Sequence, residues 1–168
     1  VVQEQIDIGV RIGHLADSRL IARKIGETCE KIVMAPDLLR KLGKPKDLAD
    51  LQKNYPLAAV LNHNNGRADT WYINENLQFT PAKPHFVGSH IHNALQAALA
   101  GNAVSQQLDW MVAPYLLNGE LVELFAEVPK IRWPVSIYRP QRVVTPMRVK
   151  VVFDLLAGIL GKRFELPA

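Results

Sequence analysis

Residues 89–119, SHIHNALQAALAGNAVSQQLDWMVAPYLLNG, decide the fold class. Ser89 is a good helix N-cap, and apolar Ala94, Leu95, Ala97, Ala98 and Leu99 follow at helical spacing. Gly101 supplies the stop, since glycine readily takes the left-handed conformation that closes helices. Ala103-Val104-Ser105-Gln106 then reads as a strand. Asp109 caps a second helix running through Trp110, Met111, Val112 and Tyr115 to Leu117, and Asn118-Gly119 ends it. Helix, strand and helix in immediate succession predict a sheet layered by helices.

The same alternation extends outward. Leu57-Ala58-Ala59-Val60-Leu61 is a compact apolar strand, followed by the polar turn Asn62-His63-Asn64-Asn65-Gly66-Arg67. Thr70-Trp71-Tyr72-Ile73 and Leu77-Gln78-Phe79 predict a hairpin around Asn74-Glu75-Asn76. Pro81 and Pro84 limit regular structure before Phe86-Val87. Ile6 to Gly13 alternates as a short strand, residues 20–25 form a second, and Lys31-Ile32-Val33-Met34-Ala35 form a third, closed by Pro36. Asp37 to Leu42 is a short helix stopped by Gly43, and Asp47-Leu48-Ala49-Asp50-Leu51 is another helical turn. Towards the C-terminus, residues 121–125 and 135–138 are strands. Thr145-Pro146 opens the last helix, with Val149, Val152, Phe153, Leu156 and Ile159 near one face. The expectation is an α/β fold with mixed, largely parallel sheets, and no internal repeat or low-complexity stretch interrupts it.

Composition narrows the class. Of 168 residues, 48% are hydrophobic and 21% charged, which excludes a disordered tail. No segment reaches the ~18 uninterrupted apolar residues of a membrane helix. Val1-Val2-Gln3-Glu4-Gln5 has neither the charged nor the apolar region of a signal peptide, and the lack of an initiator Met reads as an internal or processed start. The single cysteine, Cys29, cannot form an internal disulfide, in keeping with a reduced, cytoplasmic setting. A net charge of +4 is too small to imply nucleic-acid contact.

Taken in order, the segments resemble the effector-binding domains of LysR-type transcription regulators. Asp7-Ile8-Gly9-Val10-Arg11-Ile12-Gly13 and Asp17-Ser18-Arg19-Leu20 resemble that family's "D-L-A-I-R-x-G … L" segment. Val33-Met34-Ala35-Pro36-Asp37-Leu38-Leu39 is similar to "A-S-P-x-Y-L", with Lys44-Pro45 and Asp47-Leu48 matching the "G-x-P-x-x-x-x-D-L" that follows. Ala97-Ala98-Leu99-Ala100-Gly101-Asn102-Ala103-Val104 resembles "A-A-x-A-G-x-G-I". Pro114-Tyr115-Leu116, Gly119 and Leu121-Val122 follow "x-x-L-x-x-G-x-L-V". Tyr138-Arg139-Pro140, Thr145-Pro146 and Phe153-Asp154-Leu155-Leu156 resemble "Y-P … S-P-x-x-x-x-F-x-D-F-L". No one motif is specific; their order and spacing over nearly the whole chain are.

The resemblance implies two α/β lobes joined by two crossover strands, a periplasmic-binding-protein-like (type 2) fold. Residues 1–29 and 139–168 would form what remains of lobe one, and 30–138 lobe two. The family's winged helix-turn-helix is not found in this sequence, nor are the first strands and helices of lobe one, so sheet edges and apolar faces would stand exposed unless something covers them. Gln106-Gln107-Leu108-Asp109 also departs from the family's apolar strand end and "L-P-D".

The resemblance further implies that the helix starting at Ser89 faces a cleft between the lobes. Free backbone N–H groups and the helix dipole favour an anion there. Gly88 would let a ligand approach the backbone, Ser89 offers a hydroxyl, His90 adds positive charge below neutral pH, and Ile91 continues the same rim. Gly13 and His14, at a strand end, are the lobe-one candidates. Gln106 and Gln107 add two amides among apolar residues, either structural or ligand-binding. The polar turn at residues 62–65 reads as solvated surface, and the basic residues Lys130, Arg132, Arg139, Arg142, Arg148 and Lys150 as surface, not a DNA-binding face.

No metal or other cofactor is expected: His90 and His92, placed on a helix, would point to different sides. No catalytic residue is expected either, since nothing pairs Cys29 with a base and no phosphate-binding or nucleophile-elbow motif is present. The expected function is non-enzymatic: binding of a small polar or anionic effector to control transcription, with DNA contacted only through another part of the protein. The expected assembly is a homodimer or tetramer, without a membrane partner. A solute-binding protein of a transport system and a ligand-independent dimerisation module remain open alternatives.

Overall fold

The computed structural model describes residues 6–15, 17, 19–63, 65–141 and 144–164. Ser18 of the first motif, Asn64 of the polar turn and Arg142 of the basic segment lie outside the described residues, as do Val1-Val2-Gln3-Glu4-Gln5. The elements run β1 (Gly9–Ile12), β2 (Leu20–Met34), α1 (Pro36–Leu42), α2 (Leu48–Asn54), β3 (Leu57–Asn62), β4 (Arg67–Ala68), β5 (Trp71–Asn74) and β6 (Leu77–Phe79). Then come β7 (Phe86–Gly88), α3 (Ile91–Leu99), β8 (Val104–Leu108), α4 (Asp109–Leu117), β9 (Val122–Leu124), β10 (Arg132–Pro140) and α5 (Met147–Phe164). Two compact units result: Val1–Thr28 with Arg132–Ala168, and Cys29–Ile131.

The Cys29–Ile131 unit is built on a mixed sheet. The end of β2 pairs antiparallel with β8, Glu30 opposite Leu108 and Val33 opposite Ser105, and with β9. β3 lies parallel to β8 and to β7, with Val60 opposite Gly88, and antiparallel to β4. β5 and β6 form the expected hairpin as a separate two-stranded sheet. The parallel ladders are therefore β3–β7 and β3–β8; the other described ladders are antiparallel, fewer parallel pairs than the alternation of elements suggests, because β8 and β9 each run against β2. Along β2, Ile32 and Met34 enter a core with Leu38, Leu51, Trp71 and Phe125. Val33, between them, enters another with Leu95, Ala98, Met111 and Val112. Side chains alternate faces every residue, and both faces are covered by helices or hairpin, which is why this stretch is apolar throughout. Each such side chain taken out of water contributes about 1.5–3 kcal/mol.

Two local features fix the helices of this core. Asp47 caps α2 by accepting from the Asp50 N–H at 2.8 Å. Tyr55 then donates its hydroxyl to Gly43 O at 3.0 Å, and burial raises its phenolic pKa.

In the other unit the strand order is β1, β10, β2. β1 runs antiparallel to β10, Gly9 opposite Tyr138 and Ile12 opposite Val135. α5 packs Phe153 and Ala157 on Ile25, Val135 and Ile137. Its last turn lies so close to β2 that a Cβ on Gly26 would sit 2.4 Å from Phe164 Cβ and 2.9 Å from Phe164 O. Only glycine fits there. Val10 and Ile12 of β1, and Val151, Val152, Leu155 and Ile159 of α5, are exposed.

Three local expectations change. The strands at 20–25 and 31–35 are one 15-residue strand, β2. Helix α3 is capped by His90, not Ser89: His90 has extended backbone angles (φ −141°, ψ 142°) and its ring accepts from the His92 N–H. The N-cap of α4 is Leu108 without a side-chain bond, while Asp109 lies one residue inside the helix, its carboxylate accepting from Trp110 N at 2.8 Å.

Candidate functional site

Within the Cys29–Ile131 unit, a pocket of about 200 Å³ opens where five segments meet. Ala58 and Val60 of β3 form its floor, and Trp71 and Ile91 complete the apolar lining. Polar groups come from Glu30 of β2, Asp69 and Thr70 before β5, and Gln106 of β8. The β3–β7 parallel ladder ends at Gly88, and two residues later the chain turns into α3. Ile91 opens that helix, so its N–H is among those without an intrahelical acceptor.

The charge lining the pocket is acidic. Asp69 is partly buried and held by Asn62, whose Nδ2 donates to Asp69 Oδ1 at 2.8 Å. Glu30 is a second carboxylate, and no lysine or arginine is among the described residues that line the pocket. The site thus offers acceptors (Asp69, Glu30) on one side and the donor-rich, electropositive start of α3 on the other. That arrangement matches a small molecule carrying both hydrogen-bond donors and a negative or electron-rich group, with an apolar body against Val60, Trp71 and Ile91.

The sequence-predicted residues separate into groups. Ile91 and Gln106 line the pocket. Gln106 is 8% exposed and already engaged: its Nε2 donates to Tyr72 O at 2.7 Å and its Oε1 accepts from Tyr72 N at 3.2 Å. It clamps the β5–β6 hairpin to β8. Gln107 is fully buried behind, donating from Nε2 to Ile91 O at 3.3 Å and to Ser105 Oγ at 3.2 Å, with no partner for its Oε1 among the described residues.

Ser89 and His90 are exposed at the start of α3. The Ser89 carbonyl is 3.2 Å from His63 Nε2. Gly88 is glycine for packing: a Cβ would meet Asn93 Cβ at 2.8 Å and the Phe86 ring at 3.1 Å, so its open side belongs to α3 and not to a ligand. Gly13 and His14 lie in the other unit, after β1, where Gly13 N donates to Pro134 O at 2.9 Å. Glu30, Asp69 and Thr70 had no sequence signal, because isolated polar residues in a strand and a turn look like solvated surface; Trp71 was expected as core, and it is both core and wall.

Comparison with known proteins bears on the same chain. The family described as LysR substrate binding domain matches residues 1–160. The "HTH-type transcriptional regulator CrgA" of Neisseria meningitidis serogroup C (strain 8013) is 27% identical over 165 residues, 96% of this chain and 54% of the relative. The "HTH-type transcriptional activator TtdR" of Escherichia coli (strain K12) is 24% identical over 172 residues, 99% of this chain and 54% of the relative. This chain therefore spans about half the length of the curated relatives it matches. Among solved structures, the CrgA regulatory domain of Neisseria meningitidis aligns with a TM-score of 0.78 at 24% identity, over 95% of this chain and 78% of that one. A full-length AphB variant aligns at 0.77 and 22%, over 92% of this chain and 53% of that one. These likenesses carry the two-lobed, periplasmic-binding-protein-like fold. With residues 1–160 of its 168 matched, the chain belongs to the LysR substrate-binding domain family.

Proposed function

We propose that this domain senses a small polar metabolite for a DNA-binding transcription regulator, and that the pocket at the start of α3 receives it. The observation that carries the reading is the lining itself: Asp69, Glu30, Thr70 and the N-terminus of α3 around an apolar floor of Ala58 and Val60. The ligand class that fits is a carboxylate or similar acceptor that also carries hydroxyl or amino donors. Ser89, His90 and Ile91 supply the acceptor-binding side; Gln106 and Gln107 hold β5, β8 and α3 in register around it.

Family membership supports the remaining parts of the reading. The two compact units serve as the two lobes, Gly13 and His14 belonging to the first. DNA is contacted through a helix-turn-helix elsewhere in the protein, the assembly is a homodimer or tetramer, the setting is cytoplasmic, and no reaction is catalysed. Among the described residues no helix is long and apolar enough to cross a membrane. The effector acts by favouring one arrangement of the regulator, which requires unequal affinity for the arrangements available.

The test is a thermal-shift screen of the chain against hydroxy acids, amino acids, aromatic acids and sugar acids. A specific ligand at about 100 times its dissociation constant adds roughly 2.7 kcal/mol of stability. The expected result is stabilisation by one chemical class, reduced at least ~tenfold in affinity by Asp69→Asn, an isosteric change that removes the charge, each tenfold being 1.4 kcal/mol. Stabilisation that Asp69→Asn leaves unchanged would remove the pocket assignment.

A further inference from the structure

We propose that His90 and His92 form a two-imidazole chelate for a divalent transition-metal ion, preferring copper over nickel and zinc, at the edge of the pocket. Their Nδ1 atoms are 3.2 Å apart. Imidazole nitrogens bind zinc at ~2.0–2.1 Å, so two of them at that separation subtend about 100° at a shared ion, close to tetrahedral and near the right angle of a tetragonal site. Ring placement agrees. Each nitrogen lone pair points directly away from its ring centre, and convergence on one ion at those lengths sets the centroids about 5 Å apart; they are 5.1 Å apart.

The expectation that these histidines diverge assumed both were helical. They are not. His90 is the N-cap, with extended backbone angles, and His92 is in the first turn of α3, so the bend at the helix start brings the two rings together. The bond that now holds His90 is weak and long, its Nδ1 accepting from His92 N at 3.4 Å, and both side chains are exposed. Nothing buried has to be broken for an ion to enter.

Each ring binds as neutral imidazole with its remaining proton on Nε2; a proton held on either Nδ1 in the free protein moves to Nε2 through solvent. Among the described residues no group of three or more His, Cys, Asp or Glu is arranged to hold a metal, so water completes the coordination shell. The positive end of the α3 dipole opposes a cation and weakens its binding. Copper binds most tightly because imidazole sites follow the Irving–Williams order. Ile91, between the two histidines in sequence, lines the pocket, which puts the pair next to the proposed effector site along the chain. The chelate does not depend on that site being occupied.

The test is calorimetric titration of the untagged 168-residue chain with Cu²⁺, Ni²⁺ and Zn²⁺ at pH 7.5, with electron paramagnetic resonance of the copper form. One ion per chain is expected, with nitrogen hyperfine structure from two imidazoles. His90→Ala and His92→Ala should each weaken copper binding at least ~tenfold. His14→Gln, His63→Gln and His85→Gln, which replace the other three histidines, should leave it unchanged; circular dichroism confirms that each variant folds. Unchanged copper affinity in either His90→Ala or His92→Ala, loss of binding in the other three variants, or affinity weaker than about 1 mM would each overturn the proposal.

Discussion

Two adjacent glutamines show how differently one side chain can be used in a buried strand. Gln106 uses both ends of its amide on one backbone residue, accepting from Tyr72 N and donating to Tyr72 O. Gln107 uses its amide donor and leaves its acceptor without a partner among the described residues. Replacing a buried partner strands the group it served, at about 1–3 kcal/mol each. Gln106→Met should therefore destabilise by roughly 1–3 kcal/mol, and Gln107→Met by less, since it also removes the unpaired oxygen; urea unfolding compares the two. The sequence located both glutamines at a strand end near the candidate site but not their roles, because a partner such as Tyr72 lies 34 residues away. Ser89 was legible as a capping residue type, yet His90 holds the position, and only the extended backbone at His90 distinguishes them. Gly88 was legible as special and its reason was not: Asn93, folded back by α3, occupies the space.

Among the elements, β2 was the hardest to read, since it changes character along its length. Residues 21–24 are exposed, whereas residues 32–34 are covered on both faces, so a period-two pattern becomes a continuous apolar run and Gly26 looks like a break. Glu27 lies in between, accepting from Lys24 Nζ at 2.6 Å and from Arg132 Nε at 3.1 Å. Those two cations hold its carboxyl below the ordinary value of 4.5, Lys24 contributing most. A depressed carboxylate stabilises the fold above its ordinary pKa, and that stabilisation is lost as pH falls through the lower folded value. Stability should therefore fall on acidification from pH 5, and Glu27→Gln should flatten that part of the profile in thermal unfolding between pH 3 and 6; an unaltered profile would remove the ion pairs from the account. Helix α5 was legible from its apolar face, of which Val149 and Phe153 are buried while Val152 and Ile159 stay exposed. Phe153→Ala should cost about 3–5 kcal/mol in the unit it anchors, measured by denaturant unfolding.

For the whole molecule, the α/β class and the family were legible because they rest on many weak signals in a fixed order, and the family match over residues 1–160 agrees with them. The pocket was not, since Glu30, Asp69, Trp71, Ile91 and Gln106 come from four separated segments that only the β2–β8–β3 sheet brings together. The cores also differ in size: among the described residues the Cys29–Ile131 unit holds three buried clusters and the other unit one. Amide hydrogen exchange should accordingly be slowest in β3, β8 and the end of β2, and fastest in the edge strand β1. The central claim, that the pocket at the start of α3 is where an effector binds, is tested most directly by backbone amide chemical shifts recorded during titration with the ligand class that stabilises the chain. The account predicts saturable shifts at Val60, Asp69, Trp71, Ile91 and Gln106, with the midpoint moved to at least ~tenfold higher ligand concentration in Asp69→Asn. Saturable shifts confined elsewhere, such as around Arg40, Gly101 and Glu120 in the separate pocket of about 450 Å³ beside α1, would contradict it.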